Sequence, residues 1–239
     1  MSYNYPDAHL HTFIETGSSG TLGSVLQRVY LWMTLGLFTT ASVAALVSAS
    51  PFFQALTGRP LIFFGLLIGE LALVMELSRS IKRISTEMAL VLFFAFAALN
   101  GLTISVFFLV YTLGSVAHIF WASTILFGVM SLVSYATKIN LAKIGTFLLM
   151  GLVGLLIAMF VNILWANSTL GWFITFAGIF LFLGLTMFDT QRIRRMTATA
   201  LQRGHENIEA RLGIVGALSL YLDFINLFLL LLHLKGRRH

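Results

Sequence analysis

The sequence contains no cysteine. Disulfides, cysteine-ligated metals and thiol chemistry are therefore excluded, and the redox state of the compartment is left unspecified. Charge is nearly as scarce: only 10% of the 239 residues are Asp, Glu, Lys or Arg, 58% are hydrophobic, and the mean hydropathy is +0.92. A soluble domain needs far more polar surface than that, so the composition describes an integral membrane protein whose first partner is the lipid bilayer. Proline is also rare, and two of the three, Pro51 and Pro60, stand between the first two apolar runs, where a helix has to stop and another start.

A formal charge of +6 and a pI near 10.0 do not make this a nucleic-acid-binding protein. The basic residues fall in short links between apolar runs rather than in one patch interleaved with aromatics. No nucleic-acid partner is expected. The segment 1–28 shows no basic stretch leading into a short apolar core and a cleavage site, so the first span is expected to act as the insertion signal.

A bilayer core about 30 Å thick takes roughly 20 apolar residues of helix. Seven such runs occur, at about 29–49, 60–78, 88–110, 115–135, 144–165, 171–190 and 213–234. They predict an all-α integral membrane protein with a cytoplasmic tail over 1–28, a seven-helix domain over 29–234 and a C-terminal tail over 235–239. Ser85 and Thr86 are suited to cap the third helix, with Glu87 favourable in its first turn. Residues 190–211, "TQRIRRMTATALQRGHENIEAR", form the one long connection expected.

Lys and Arg accumulate in cytoplasmic loops. Arg28, Arg79, Lys82, Arg83, Lys138, Lys143, Arg192, Arg194, Arg195, Arg203 and Arg211 lie on the side of the N-terminus; Arg59, Lys235, Arg237 and Arg238 lie opposite. Eleven against four places the N-terminus in the cytoplasm. Three of the four exceptions sit in the C-terminal tail, where a re-entrant last segment would return them, but "GIVGALSLYLDFINLFLLLLHL" is long enough to cross and seven crossings are expected.

Of nine acidic residues, three fall inside the apolar runs: Glu70, Asp189 and Asp223. A charged Asp at a helix centre costs on the order of 3 kcal/mol on translocon scales, so such groups face a bundle interior or a water-filled cavity. On the seventh run Gly216, Ser219, Asp223 and Asn226 recur every three or four residues as one small and polar stripe. On the sixth, Thr186 and Asp189 share a face. Asp189 looks shallower than Asp223 unless the two helices are offset or the seventh starts earlier.

If the two carboxylates approach within a few ångströms, they cannot both ionise cheaply and hold a proton in common. Such a pair senses pH. Without the proton it either repels itself open or recruits a cation, and oxygen ligands suit Ca²⁺ or H⁺ better than softer metals. The alternative for both aspartates is a structural role, bonding neighbouring helices. For Asn100, Thr103 and Asn162 that packing role is the better expectation.

The segments "MFDTQRIRRM" and "GALSLYLDFINLFLLLLHL", supported by "RVYLWMTLGL", "LALVMELS", "LNGLTISVFFLVYT" and "SYATK", resemble the Bax inhibitor-1 (transmembrane Bax inhibitor motif) family, in its bacterial branch. The resemblance covers most of the chain. It implies a fold in which the C-terminal helix is central and wrapped by the other six. It also implies a pH-sensitive passive Ca²⁺ leak in the bacterial inner membrane, regulated by an aspartate pair that maps by motif onto Asp189 and Asp223, with transient Ca²⁺ there.

Glu70 matches an acidic position of the family, with Asn226, Ser219 and Thr186 in support. The family's basic position at the end of helix two falls here on Ile81, leaving Arg79, Lys82 and Arg83 as candidate gating contacts. Related bacterial proteins are linked to an ATP-dependent membrane protease, which supplies a second reading as a regulator of membrane partners.

An enzyme is not expected. Intramembrane aspartyl proteases place one Asp on each of two successive helices, but "LYL" precedes Asp223 where they carry glycine-x-glycine, and no proline-alanine-leucine follows. No H-E-x-x-H occurs, the histidines are scattered, and "TGSSGTLGS" lacks the Lys of a phosphate cradle, so no cofactor is expected.

Overall fold

The computed structural model describes residues 19–80, 84–137, 139–202 and 206–235. Seven long helices carry the apolar runs: α1 (Ser19–Ser48), α2 (Pro60–Ser80), α3 (Thr86–Ser105), α4 (Leu113–Ala136), α5 (Ala142–Trp165), α6 (Ser168–Gln202) and α7 (Glu206–Lys235). Each is long and apolar enough to cross a membrane. No β-strand occurs among the described residues. Helices are what a lipid environment demands, since no water is present there to satisfy open backbone groups.

Local chemistry sets the ends. Pro60 opens α2, and a short helix, Phe52–Gly58, fills the link before it. Ser85 caps α3 by accepting from the Met88 amide at 3.2 Å, with Glu87 in the first turn. Thr112 caps α4 through the Ser115 amide at 3.3 Å. Residue Ala166, with φ 49°, terminates α5 in the left-handed conformation. Asn167 then starts α6, its Oδ1 accepting from the Leu170 amide at 3.0 Å.

Three boundaries differ most from the hydropathy reading. Helix α1 begins at Ser19, well before the apolar run that starts near Val29. The connection read as long is mostly helix, because α6 continues to Gln202 and α7 starts at Glu206. The stretch from Asp189 to Gln202 contains no Gly or Pro, and it buries Ile193, Thr197 and Ala200 on one face while Arg192 and Arg195 stay exposed on the other. An amphipathic extension of that kind is invisible to a search for uniformly apolar runs.

Helix α7 is the most buried span: 67% of its most apolar stretch is inside the protein, against 11–39% for the other six. It packs chiefly on α6, α1, α4 and α3, while α2 lies on α3 and α5 on α6. Tyr221 and Phe224 of α7 anchor the core. Phe93 and Phe96 of α3 meet the Tyr221 ring edge-on at 5.8 Å each, and Phe120 and Phe127 of α4 meet Phe224 at 5.5 and 5.6 Å. Large apolar side chains also cover the outside, such as Leu61, Phe147 and Ile163. In lipid that exposure carries no hydrophobic penalty, so helix association rests on packing and interhelical hydrogen bonds.

Candidate functional site

Helices α6 and α7 run antiparallel, with Gly216 packed on Ile193 and Gly178 on Leu230. Those two approaches put Asp189 about level with Ser219, so with the usual helical rise Asp223 lies roughly 6 Å, about one turn, further along α7. The depth mismatch suggested by the hydropathy boundaries thus largely disappears once α6 runs on and α7 starts early. Asp189 faces Gly216 and Ser219 across a narrow cavity that Ile193 and Met196 also line. Asp223 stands one turn beyond Ser219, close enough for the Asp189 charge to act on it.

The two carboxylates have different surroundings. Asp223 is 5% exposed, and its Oδ2 is buried without a hydrogen-bond partner. Asp189 is half-buried and forms an ion pair with Arg192, Nη1 to Oδ1 at 3.8 Å, one turn along its own helix. A cation therefore stands beside the outer carboxylate and none is recorded on the inner one among the described residues. The turn of α6 leading into Asp189 carries extra hydroxyl bonds: Thr186 donates to the Phe182 carbonyl at 2.8 Å, Thr190 to Thr186 at 2.7 Å, and Ser134 of α4 to Met187 at 2.8 Å. Such bonds compete with the helix ladder and favour bending there.

The remaining candidates are distributed. Ser219 lines the cavity and is half-buried. Asn226, also half-buried, donates from Nδ2 to the Leu222 carbonyl at 2.8 Å, so its amide is committed to its own helix. Thr186 is fully buried and likewise bonded within its helix. Glu70 is 8% exposed and accepts from the Thr103 hydroxyl of α3, which gives Thr103 the interhelical role expected of it. Arg79 ends α2 as an exposed side chain, and Lys82 and Arg83 lie outside the described residues. Asn100 and Asn162, by contrast, each leave a buried Oδ1 unpartnered.

Arg192 stands among the charges that set topology, and it also pairs with Asp189. Its i, i+3 spacing from Asp189 was a readable signal for an ion pair. The contact of Thr40 with Tyr221 had no such signal. The two hydroxyls meet at 2.6 Å from α1 and α7, and Thr40 also donates to the Ala97 carbonyl of α3 at 2.9 Å.

Replacing Thr103 by Val leaves the buried Glu70 carboxyl without its donor. The expected cost is about 1–3 kcal/mol, read as a lowered thermal midpoint in detergent, with Thr103→Ser close to wild type. Equal midpoints for Val and Ser would show that the hydroxyl contributes nothing.

Among the described residues, no group of three or more His, Asp or Glu is gathered. A retained Ca²⁺ takes six to eight oxygens, more than two carboxylates supply.

A family profile described as "Inhibitor of apoptosis-promoting Bax1" matches residues 22–239. The inner membrane protein YbhL of Escherichia coli K12 is 42% identical over 91% of this chain and 93% of its own length. An uncharacterized protein of Deinococcus radiodurans is 38% identical over 89% of this chain and 90% of its own. A third relative, the uncharacterized protein RP147 of Rickettsia prowazekii, is 36% identical over 95% and 97%.

Proposed function

The chain belongs to the Bax inhibitor-1 family, and from that premise we propose that it is a pH-sensitive passive cation leak that passes Ca²⁺, gated by a proton held between Asp189 and Asp223. Its place is the inner membrane, as in the name of the Escherichia coli relative, with the N-terminus in the cytoplasm as the distribution of Lys and Arg favours. The observation that carries the reading is the Asp223 carboxylate, buried in the most enclosed helix with one oxygen unpartnered and a second aspartate near it.

With one proton between them, the two carboxylates carry a single negative charge. Without it, two negative charges repel and attract a divalent cation. Protons and Ca²⁺ compete for the same oxygens, so Ca²⁺ occupancy of the pair rises with pH. Arg192 offsets part of the Asp189 charge and keeps the site from holding a cation tightly. The Thr186, Thr190 and Ser134 bonds mark the turn of α6 where movement is easiest.

The test is Ca²⁺ entry into proteoliposomes down a gradient, measured from acidic to mildly alkaline pH beside empty liposomes. The expected outcome is passive, non-saturating flux that changes with pH. Flux equal to that of empty liposomes, from protein shown to be folded, sinks the channel reading and favours a regulator of membrane partners.

A further inference from the structure

The α6–α7 seam does not end at the aspartates. Leu230 lies two turns beyond Asp223 along the same face of α7, and it presses on α6. A Cβ placed on Gly178 would stand 2.8 Å from Leu230 and 3.2 Å from Leu155 of α5. One turn further on, a broad cavity of about 400 Å³ lies between the end of α5, the start of α6 and the end of α7. Five of its nine lining residues, Asn162, Asn167, Ser168, Thr175 and His233, are polar. The buried Asn162 Oδ1 has no protein partner, and a void of that size with polar groups in its wall has room for water.

We infer that this cavity is a water-filled outer vestibule for hydrated cations, separated from the aspartate pair by an apolar plug in which Leu230 and Leu155 close on Gly178. The inference rests on reading the α6–α7 seam as the cation route. Side-chain oxygens of Asn162, Asn167, Ser168 and Thr175 suit a hydrated cation. The C-terminal ends of α5 and α7 also bring the negative poles of their helix dipoles to the cavity. The positive pole of α6 points there too, but Asn167 blunts it by accepting from the Leu170 amide through Oδ1 and from the Gly171 amide through its carbonyl. On α7 the plug explains why a face bearing Ser219, Asp223 and Asn226 is interrupted by leucine before His233.

The absence of native cysteine makes single-cysteine labelling clean. In bilayer nanodiscs, Asn162→Cys, half-buried in the cavity wall, and Ile163→Cys, on the lipid-facing side of α5 at 77% exposure, are treated with a cationic, membrane-impermeant methanethiosulfonate. Asn162→Cys is expected to react about tenfold faster or more, because only a thiolate in water reacts and lipid keeps the thiol protonated. Equal rates overturn the vestibule. Leu227→Cys, fully buried between Asp223 and the plug, is expected to resist the reagent alone and to react once Leu230→Ala or, as a second route, Leu155→Ala is added. Reactivity without either change overturns the plug, as does resistance with both in folded protein. Labelling does not depend on Ca²⁺ movement, so a positive labelling pattern with no flux retains the vestibule and removes the leak reading instead.

Discussion

Proteoliposomes carrying Asp223→Asn are expected to conduct Ca²⁺ at a rate that no longer changes with pH, and the same protein is expected to be at least as stable as wild type. An amide has nearly the shape of a carboxyl but does not ionise, so it cannot trade a proton with Asp189. The buried Oδ2 that lacks a partner gives Asp223 no structural bond to lose there, and an amide avoids the cost of a charge inside a span.

This combination separates the two meanings of a buried aspartate. A packing residue loses stability by about 1–3 kcal/mol when its bonds are broken; a functional residue loses the response and not the fold. Asp189→Asn is expected to abolish the pH response as well, since a shared proton requires both partners. Retention of the response in either variant would assign the sensor to a single carboxylate and end the pair mechanism. Arg192→Gln is expected to shift stability by less than about 1 kcal/mol, because its side chain is 54% exposed and the pair is screened.

The second large effect is expected at Gly101. A Cβ there would stand 2.7 Å from the Thr40 carbonyl oxygen and 2.8 Å from the Val43 Cβ, both attached to the α1 backbone, which cannot swing aside as a side-chain tip can. Gly101→Ala is therefore expected to separate α1 from α3, with a loss of about 3 kcal/mol at the upper end of overpacking costs. Thr40 also bonds Tyr221 and the Ala97 carbonyl, so the displacement loosens the contact of α1 with α7 as well. The comparison is Gly65→Ala in α2, where nothing lies within 4 Å and the gain in helix propensity is up to about 1 kcal/mol. Thermal unfolding in detergent should lower the midpoint for the first and hold or raise it for the second. Indistinguishable midpoints would show that α1 yields at little cost.

Gly101 and Gly65 look alike in the sequence: each is a glycine in an apolar helix. Only the position of a neighbouring backbone distinguishes them. The aspartates show the same limit from the other side. Their rarity within apolar runs made Asp189 and Asp223 legible as a candidate site, because a carboxylate in lipid needs a reason to be there. Their relative depth was not legible, since it depends on α6 reaching Gln202 and α7 starting at Glu206, in a stretch whose charged face hides its buried one. Arg192 was readable by spacing, whereas the bond between Thr40 and Tyr221 joins residues 181 apart with no local pattern at either end.

By itself the sequence determined that this is a seven-helix membrane protein with few ionisable groups in its spans, where the first helix stops and the second starts, and which family it belongs to. Those properties follow from the length of apolar runs, from proline and capping residues, and from local motifs, all of which act within a few residues along the chain. Tertiary structure alone decided that α7 is the most enclosed helix, that Asp189 and Asp223 stand about a turn apart, that Thr103 holds Glu70, and that Leu230 closes on Gly178 below a polar cavity. In lipid the outer surface is as apolar as the core, so hydrophobicity does not say which face turns inward; that choice rests on close approaches and scattered polar bonds between residues far apart in the chain.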